Sequence, residues 1–121
     1  MATNKINLAN FKPSNSNVFA GRPQGEAVRK ELRLDKFDMT NDDFEIIIPK
    51  ETTSFNPSFY LGLLFESIKI LGFEKFKEKY KFSFEVTEPE MIQNLQKNLD
   101  DGLRNALNTI NKNFGFDTFF N

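Results

Sequence analysis

The sequence predicts an α/β fold in which a small mixed, mostly parallel sheet is covered by three main helices. Short segments with β-branched residues, or with alternating apolar and polar residues, are separated by helical patterns. Strands that alternate with helices in this way are typical of parallel sheets. The chain of 121 residues is long enough for a single domain with its own core, and its 15 Phe residues indicate a core rich in aromatic rings.

The start of the chain combines a polar end with two short strand patterns. Residues 1–5 are polar and are predicted to form a flexible N-terminus. Ile6, Leu8 and Phe11 are interspersed with Asn residues, which predicts a short half-buried strand. A turn rich in Ser and Asn follows, and residues 18–20 are predicted to form a second short strand.

A first helix and a central strand are expected next. Residues 21–25 contain two Gly residues and a Pro, and are predicted to break regular structure. The helix is expected from about residue 26 to residue 34, where apolar residues recur with helical spacing. Residues 44–48 are dense in β-branched side chains and are followed by Pro49. This pattern predicts a central strand that is buried on both faces and ends at the Pro.

The most informative stretch is an apolar helix in the middle of the chain. Asn56 is a good N-cap and Pro57 a good first helical residue. Residues 59–71 are apolar nearly all round, which predicts a helix that other elements cover on most sides. Gly62 indicates a close approach to a neighbouring backbone, and Gly72 is a suitable residue to end the helix.

A third strand and a long last helix complete the predicted domain. Residues 80–86 alternate between apolar and polar side chains, as in a half-buried strand. An apolar stripe with helical spacing then extends to about residue 111, interrupted by Gly102. We therefore expect one domain over residues 6–111, followed by a Phe-rich C-terminal tail over residues 112–121.

Composition excludes several classes of function. The sequence contains no Cys and no His, which removes thiolate nucleophiles, Ser-His triads, disulfides and the common zinc sites. No catalytic residue, metal site or cofactor is predicted. The formal net charge is −1 with both signs interspersed, so nucleic acid is not an expected partner. No signal peptide and no apolar run of about 20 residues is present, and we expect a cytoplasmic chain without a membrane anchor.

Several short motifs, in order, resemble the STAS-like domains of unknown function, relatives of the STAS domains of anti-sigma-factor antagonists and sulfate transporters. The resemblance covers roughly residues 6–110. The motifs are Ile6-Asn7-Leu8 with Phe11 and Pro13, then Gly21-Arg22 with Gly25-Glu26 and Arg29, then a strand, then Ser58-Phe59 at the start of an apolar helix.

The resemblance implies a non-enzymatic regulatory module that takes part in signalling through a protein partner. In antagonist-class STAS domains the partner is a kinase of the ATPase fold, which phosphorylates a Ser at the start of the helix after a central strand. Ser58 falls at the matching place. The antagonists carry an Asp-Ser-Ser-Gly turn there, whereas this chain has Asn, Pro, Ser and Phe at residues 56–59.

Two groups of candidate contact residues follow. Ser58, with Asn56 and Phe59, is the candidate phosphoacceptor or partner-binding site, although a Ser there also suits a helix start that bonds only locally. Arg22 and Arg29 are candidates for contact with an anion or a partner. The alternative is that both are surface residues, or that Arg29 pairs with Glu26 or Asp35.

The tail gives a third group, and the class of function stays open. Four rings in the tail form a candidate interface for a partner or a homodimer, or fold back on the domain; they are Phe114, Phe116, Phe119 and Phe120. The alternatives to a regulatory module are a small inhibitor or adaptor of a mobile element, and a domain that binds a small ligand.

Overall fold

The computed structural model describes residues 3–12 and 17–113 and has an α/β architecture, as the sequence predicts. The strands are β1 (Thr3–Asn7), β2 (Val18–Phe19), β3 (Asp43–Ile48), β4 (Ser54–Phe55) and β5 (Tyr80–Phe84). The helices are α1 (Arg22–Leu32), α2 (Leu34–Phe37), α3 (Pro57–Leu71), α4 (Phe73–Lys79) and α5 (Pro89–Asn113), and a short 3-10 helix covers Leu8–Phe11.

The strands form two small parallel sheets. The main sheet has the order β1-β3-β5, and β2 pairs with β4 in a second sheet of two strands. In the main sheet Ile46 of β3 lies between Ile6 and Phe82. Because the strands are parallel, their carboxyl ends meet at one edge of the sheet, where the loops that lead into α3 and α5 also begin.

The central strand β3 is buried on one face only, so the prediction of burial on both faces is wrong. Phe44, Ile46 and Ile48 are buried, whereas the alternate residues of the strand are only partly covered. On that second face Glu45 pairs in register with two exposed Lys side chains, Lys5 and Lys81. Charged residues of alternating sign across neighbouring strands suit a face in contact with water.

Strand β1 begins earlier in the chain than the sequence pattern predicts. Thr3 to Lys5 pair with β3, so residues 3–5 belong to the sheet rather than to a flexible N-terminus. Phe11, expected in the strand, lies in the 3-10 helix. The Asn7 side chain accepts a hydrogen bond of 2.9 Å from the Ala9 N–H, which caps that helix and ends the strand.

Helix α1 begins at Arg22, so the prediction of a start near residue 26 is wrong. Pro23 lies in the first turn, where its missing N–H costs nothing. Gly25 was expected to break the chain but lies inside the helix, because α1 crosses α3 at this residue. A Cβ atom on Gly25 would lie 2.9 Å from the Leu63 nitrogen, and one on Gly62 would lie 2.8 Å from the Glu26 nitrogen. The predicted close approach at Gly62 is thus confirmed.

Helix α3 is the centre of the core, as its apolar sequence predicts. Eight of its residues are buried: Phe59, Tyr60, Gly62, Leu63, Leu64, Phe65, Ser67 and Ile68. Contacts advance along α1 and α3 in the same direction, because Gly25 meets Leu63 and Arg29 bonds to Ser67 one turn later. Both helices therefore begin near the carboxyl edge of the sheet.

Candidate functional site

The start of α3, formed by Asn56, Pro57 and Ser58, is exposed to solvent at its second helical residue. The Asn56 side chain is the N-cap, since its Oδ1 accepts a hydrogen bond of 2.8 Å from the Ser58 N–H. Ser58 is exposed, and its hydroxyl makes no hydrogen bond with any residue that the structure describes. The Ser58 hydroxyl thus does not bond locally, because Asn56 supplies the side-chain cap and binds the Ser58 N–H instead.

Three hydrogen bonds hold the approach to α3 in place. The Asn56 N–H donates to the Phe19 carbonyl at 2.8 Å, which ties the start of α3 to β2. The Thr53 N–H donates to the Asn17 carbonyl at 2.8 Å. On the other side of β4, the Phe55 N–H donates to Oδ1 of Asn98 in α5 at 2.9 Å. The α3 start is thus a fixed surface, supported by β2, β4 and α5.

Phe59 belongs to the core and not to this surface, so its place among the candidate contact residues is wrong. Its side chain is 1% exposed. The ring lies 5.3 Å from the Phe19 ring and 5.1 Å from the Phe55 ring, centroid to centroid. Aromatic pairs at these separations stabilise a core beyond the area they bury. Phe59 therefore packs in the core and fixes the position of the neighbouring, exposed Ser58.

The loop that follows β3 adds a strained residue to the same edge. Glu51 has φ +75°, a conformation that L-residues rarely adopt. Its neighbour Thr52 is buried and donates from Oγ1 to the Pro49 carbonyl at 2.7 Å, which holds the turn. Beside this loop lies an open cavity of about 290 Å³ that also touches Glu88 and Met91 at the start of α5.

The two candidate arginines have different environments and share no partner. Arg22 is half-exposed, with its Nε 3.6 Å from a Glu26 carboxylate oxygen and its guanidinium 5.4 Å from the centre of the Phe65 ring. Arg29 has a side chain only 12% exposed. It donates to the Leu63 carbonyl at 3.0 Å and to Ser67 Oγ at 2.7 Å.

The partner of Arg29 is a carboxylate that the sequence did not single out. Its second terminal nitrogen donates to Asp38 Oδ2 at 2.8 Å. The prediction that Arg29 contacts an external anion is therefore wrong, because its side chain is largely buried and its charge is already paired with Asp38 inside the fold. The expected alternative partners, Glu26 and Asp35, are also not the ones it uses.

Asp38 is the centre of a buried polar cluster at the amino edge of the sheet. Its side chain is 0% exposed. Besides Arg29, it accepts hydrogen bonds at Oδ1 from Ser67 Oγ and from the Tyr80 hydroxyl, both at 2.7 Å. We call Arg29, Asp38, Ser67 and Tyr80 the amino-edge network. Burial, followed by the hydrogen bond to Asp38, raises the pKa of Tyr80 far above its usual value.

Sequence reasoning missed this network because Asp38 stands in a polar stretch that looks like an ordinary loop. One feature could have indicated it: Ser67 is a polar residue on the side of α3 that also carries Leu63 and Leu64. A buried hydroxyl requires a partner, so such a Ser predicts a polar group on a facing element. Every polar side chain of the network is paired, and the cluster therefore acts as part of the fold.

Phe114, Phe116, Phe119 and Phe120 lie outside the described residues, so their role stays a prediction. Within residues 3–12 and 17–113, no helix is long and apolar enough to cross a bilayer, and no group of Asp and Glu side chains is arranged to hold a metal ion. No family model, no curated protein and no solved structure matches this chain. The resemblance to STAS-like domains therefore stays a prediction.

Proposed function

We propose that this chain is a non-catalytic regulatory module that binds a protein partner through the α3 start. The proposal rests on one observation: Asn56 and Ser58 have different roles at the helix start. Asn56 caps the helix, and Ser58 is left exposed with a hydroxyl that the described structure does not use. A side chain that is exposed on a rigid surface and unused by the fold can be covered by a partner without loss of stability.

The hydrogen bonding of the first turn favours a direct protein contact over a site built for a phosphate. Pro57 has no N–H, and the Ser58 N–H is already bonded to Asn56. The Tyr60 N–H donates to the Asn56 carbonyl at 3.1 Å. A helix start usually attracts anions through several unpaired N–H groups, and this one retains few. Phosphorylation of Ser58 by a kinase of the ATPase fold is thus a finer proposal that rests on the family resemblance.

The non-catalytic character is proposed on the chemistry of the polar groups. The sequence contains neither His nor Cys, the residues used most often for proton transfer and for nucleophilic attack at neutral pH. The buried carboxylate of Asp38 is fully hydrogen-bonded and is covered by the fold. It therefore lacks the free access to solvent or substrate that a general acid or base needs.

The test introduces a charge at Ser58 without disturbing the fold. Ser58→Glu places a carboxylate in the first turn of α3, which the helix dipole tolerates, so the free energy of unfolding should change by less than about 1 kcal/mol. A partner that covers this residue would have to desolvate an unpaired charge. We therefore expect the affinity to fall by about tenfold or more, whereas Ser58→Ala should bind like the original chain.

The measurement compares these variants against one partner. Proteins captured from a host lysate by the full chain would be identified by mass spectrometry, and the dominant protein purified for calorimetry. Asn108→Glu, which adds the same charge on an exposed face of α5, is the matched control. Equal affinity for Ser58→Glu and Asn108→Glu would remove the α3 start from the interface and contradict the proposal.

A further inference from the structure

A groove beside α5 is lined by apolar and aromatic side chains that the described residues do not fully cover. Its floor is formed by Tyr60, Phe82, Leu99 and Leu103, and Lys77 and Lys81 flank it; we call it the α5 groove. Its volume is about 230 Å³. This volume is of the order of one or two aromatic side chains, and smaller than a typical drug-sized pocket of about 300–1,000 Å³.

Tyr60 brings a hydroxyl group to the floor of the α5 groove. Its side chain is 2% exposed and its ring lies 6.0 Å from the Phe82 ring, centroid to centroid. The ring packs directly on α5 because Gly102 has no side chain; a Cβ atom there would lie 2.6 Å from the Tyr60 Cδ1. Within the described residues the Tyr60 hydroxyl forms no hydrogen bond, yet no fully buried side-chain oxygen or nitrogen there lacks a partner, so this hydroxyl reaches the surface of the groove. It can therefore bond to water or to an occupant of the groove.

The nearest carboxylate does not bond to this hydroxyl. Asp100 lies close enough that its charge, after burial, contributes to a raised pKa of Tyr60. Its Oδ1 instead accepts a hydrogen bond of 3.0 Å from Gln96 Nε2, one turn earlier in α5. The α5 groove therefore combines an apolar floor with one hydroxyl available at its surface, and it suits an occupant that brings a ring and a hydrogen-bond acceptor.

The segment that follows α5 carries both kinds of group. Residues 114–121 contain four Phe residues and eight backbone carbonyls, with Asp117 as the single charged side chain. The groove is lined by Lys77, Lys81 and Asp100, so its charged side chains are positive on balance and opposite in sign to Asp117. The apolar stripe of α5 also continues from the groove toward this segment through Leu103, Leu107 and Ile110, each only partly buried.

The length of the segment matches the distance that it would have to span. Ten residues of helix separate Leu103 from Asn113, a rise of about 15 Å, and Leu99 lies about 6 Å further. An extended chain that returns along α5 covers about 3.3 Å per residue, or roughly 20 Å in six residues. The sixth and seventh residues after Asn113 are Phe119 and Phe120.

We propose that residues 114–121 fold back along α5 and place the ring of Phe119 or Phe120 in the α5 groove. A backbone carbonyl of the segment then accepts the hydrogen bond from the Tyr60 hydroxyl, and Asp117 lies near the Lys side chains. Covalent attachment favours this occupant over a separate molecule, because a short tether gives an effective concentration of the order of millimolar. The inference concerns a different surface from the α3 start and does not depend on the proposed function.

The experiment uses the fact that the sequence has no Trp. Phe119→Trp and Phe120→Trp, each in the full chain, report the environment of one position by fluorescence. We expect at least one of them to give a blue-shifted emission and quenching by acrylamide several-fold weaker than that of free tryptophan. This result should not depend on protein concentration, because the contact lies within one chain.

Exchanging the charges on the Lys side chains and on Asp117 tests where the segment contacts the domain, without altering the core. Lys77→Glu with Lys81→Glu changes only exposed side chains and should shift the Trp emission to the red by repelling Asp117. Adding Asp117→Lys to that variant should restore the blue shift. Glu74→Lys with Glu78→Lys, also exposed on α4, is the control and should have no comparable effect.

Three results would overturn the inference. Solvent-exposed emission at both Trp positions would mean that neither ring is docked. Blue-shifted emission that moves to the red on dilution would assign the contact to a second copy of the chain. Blue-shifted emission that is indifferent to the charge exchange would place the rings away from the α5 groove.

Discussion

The two edges of the parallel sheet differ in how their polar side chains are buried and bonded. At the amino edge, Asp38 is buried and accepts hydrogen bonds from Arg29, Ser67 and Tyr80. At the carboxyl edge, Ser58 and Glu51 are exposed, and neither side chain is bonded to a described residue. The first arrangement joins α1, α3, β5 and the loop after α2. At the second edge Thr52 and Asn56 are bonded within the fold, but Ser58 and Glu51 face the solvent.

The difference separates residues needed for folding from residues available for binding. Lys79 strengthens the amino edge further, since its Nζ donates to the Thr40 carbonyl at 2.6 Å and to the Asp42 carbonyl at 2.8 Å. A buried network of this kind is costly to break, because any lost partner leaves another group unpaired. Changes at the amino edge should therefore appear in stability, and changes at the carboxyl edge in binding.

The largest effect is expected from Asp38→Ala. The substitution leaves the Arg29 guanidinium buried without its carboxylate and removes the acceptor for Ser67 and Tyr80. Breaking a buried ion pair by removing one partner costs about 3–5 kcal/mol. Urea denaturation followed by circular dichroism should show a loss of this size, a large part of the total stability of a small domain.

Asp35→Ala is the control for that experiment. Asp35 is exposed and lies three residues from Asp38, so its removal should change the free energy of unfolding by less than about 0.5 kcal/mol. If Asp38→Ala cost less than about 1 kcal/mol, the amino-edge network would not be a structural cluster, and the contrast between the two edges would fail.

An intermediate effect is expected at alkaline pH, through the only two Tyr residues, Tyr60 and Tyr80. Burial raises the pKa of both hydroxyls, assisted by the charge of Asp100 at Tyr60 and by the hydrogen bond to Asp38 at Tyr80. A group whose pKa is raised by folding stabilises the fold fully below its unfolded pKa, which is about 10 for Tyr. Above that pH the unfolded chain loses these protons first, so stability should fall.

Spectrophotometric titration checks this directly, since the sequence has no Trp to obscure the tyrosinate absorbance. We expect the absorbance to rise only together with the loss of ellipticity, in one cooperative step above pH 10. Tyr80→Phe should retain a single such step from Tyr60. A gradual titration centred near pH 10 in a chain that remains folded would show that the hydroxyls are accessible.

The sequence predicts the elements whose patterns are local. The β-branched run of β3 and the apolar run of α3 give the type and nearly the bounds of both elements. The start of α1 could not be predicted, because Pro23 and Gly25 resemble a break unless the crossing with α3 at Gly62 is known. Helix propensity depends on the segment alone, whereas the start of α1 is set by how this helix packs against α3.

The position of the α3 start was predicted, but the surroundings of its side chains were not. Asn56 as a cap and Ser58 as an exposed residue follow from rules about helix starts. That Phe59 is buried depends on Phe19 and Phe55, and that Arg29 faces inward depends on Asp38. Each of these facts requires knowing which distant residue lies opposite, and a single sequence without the fold does not contain that information.

The smallest effect on stability is expected from substitutions at Glu51. They test whether the fold needs the strained backbone conformation of this residue at the carboxyl edge. Glu51 has φ +75° and Arg33 has φ +60°, and both are exposed. Glycine adopts this conformation without strain but also loses more backbone freedom on folding. The relief of backbone strain and the larger loss of backbone freedom on folding partly cancel. Glu51→Gly and Arg33→Gly should therefore each raise the free energy of unfolding by no more than about 1 kcal/mol. Glu51→Ala keeps the strain and removes the carboxylate, and should match the original chain in urea denaturation. A clear loss of stability in Glu51→Ala would show that the Glu51 side chain supports the fold, and that the carboxyl edge is structural like the amino edge.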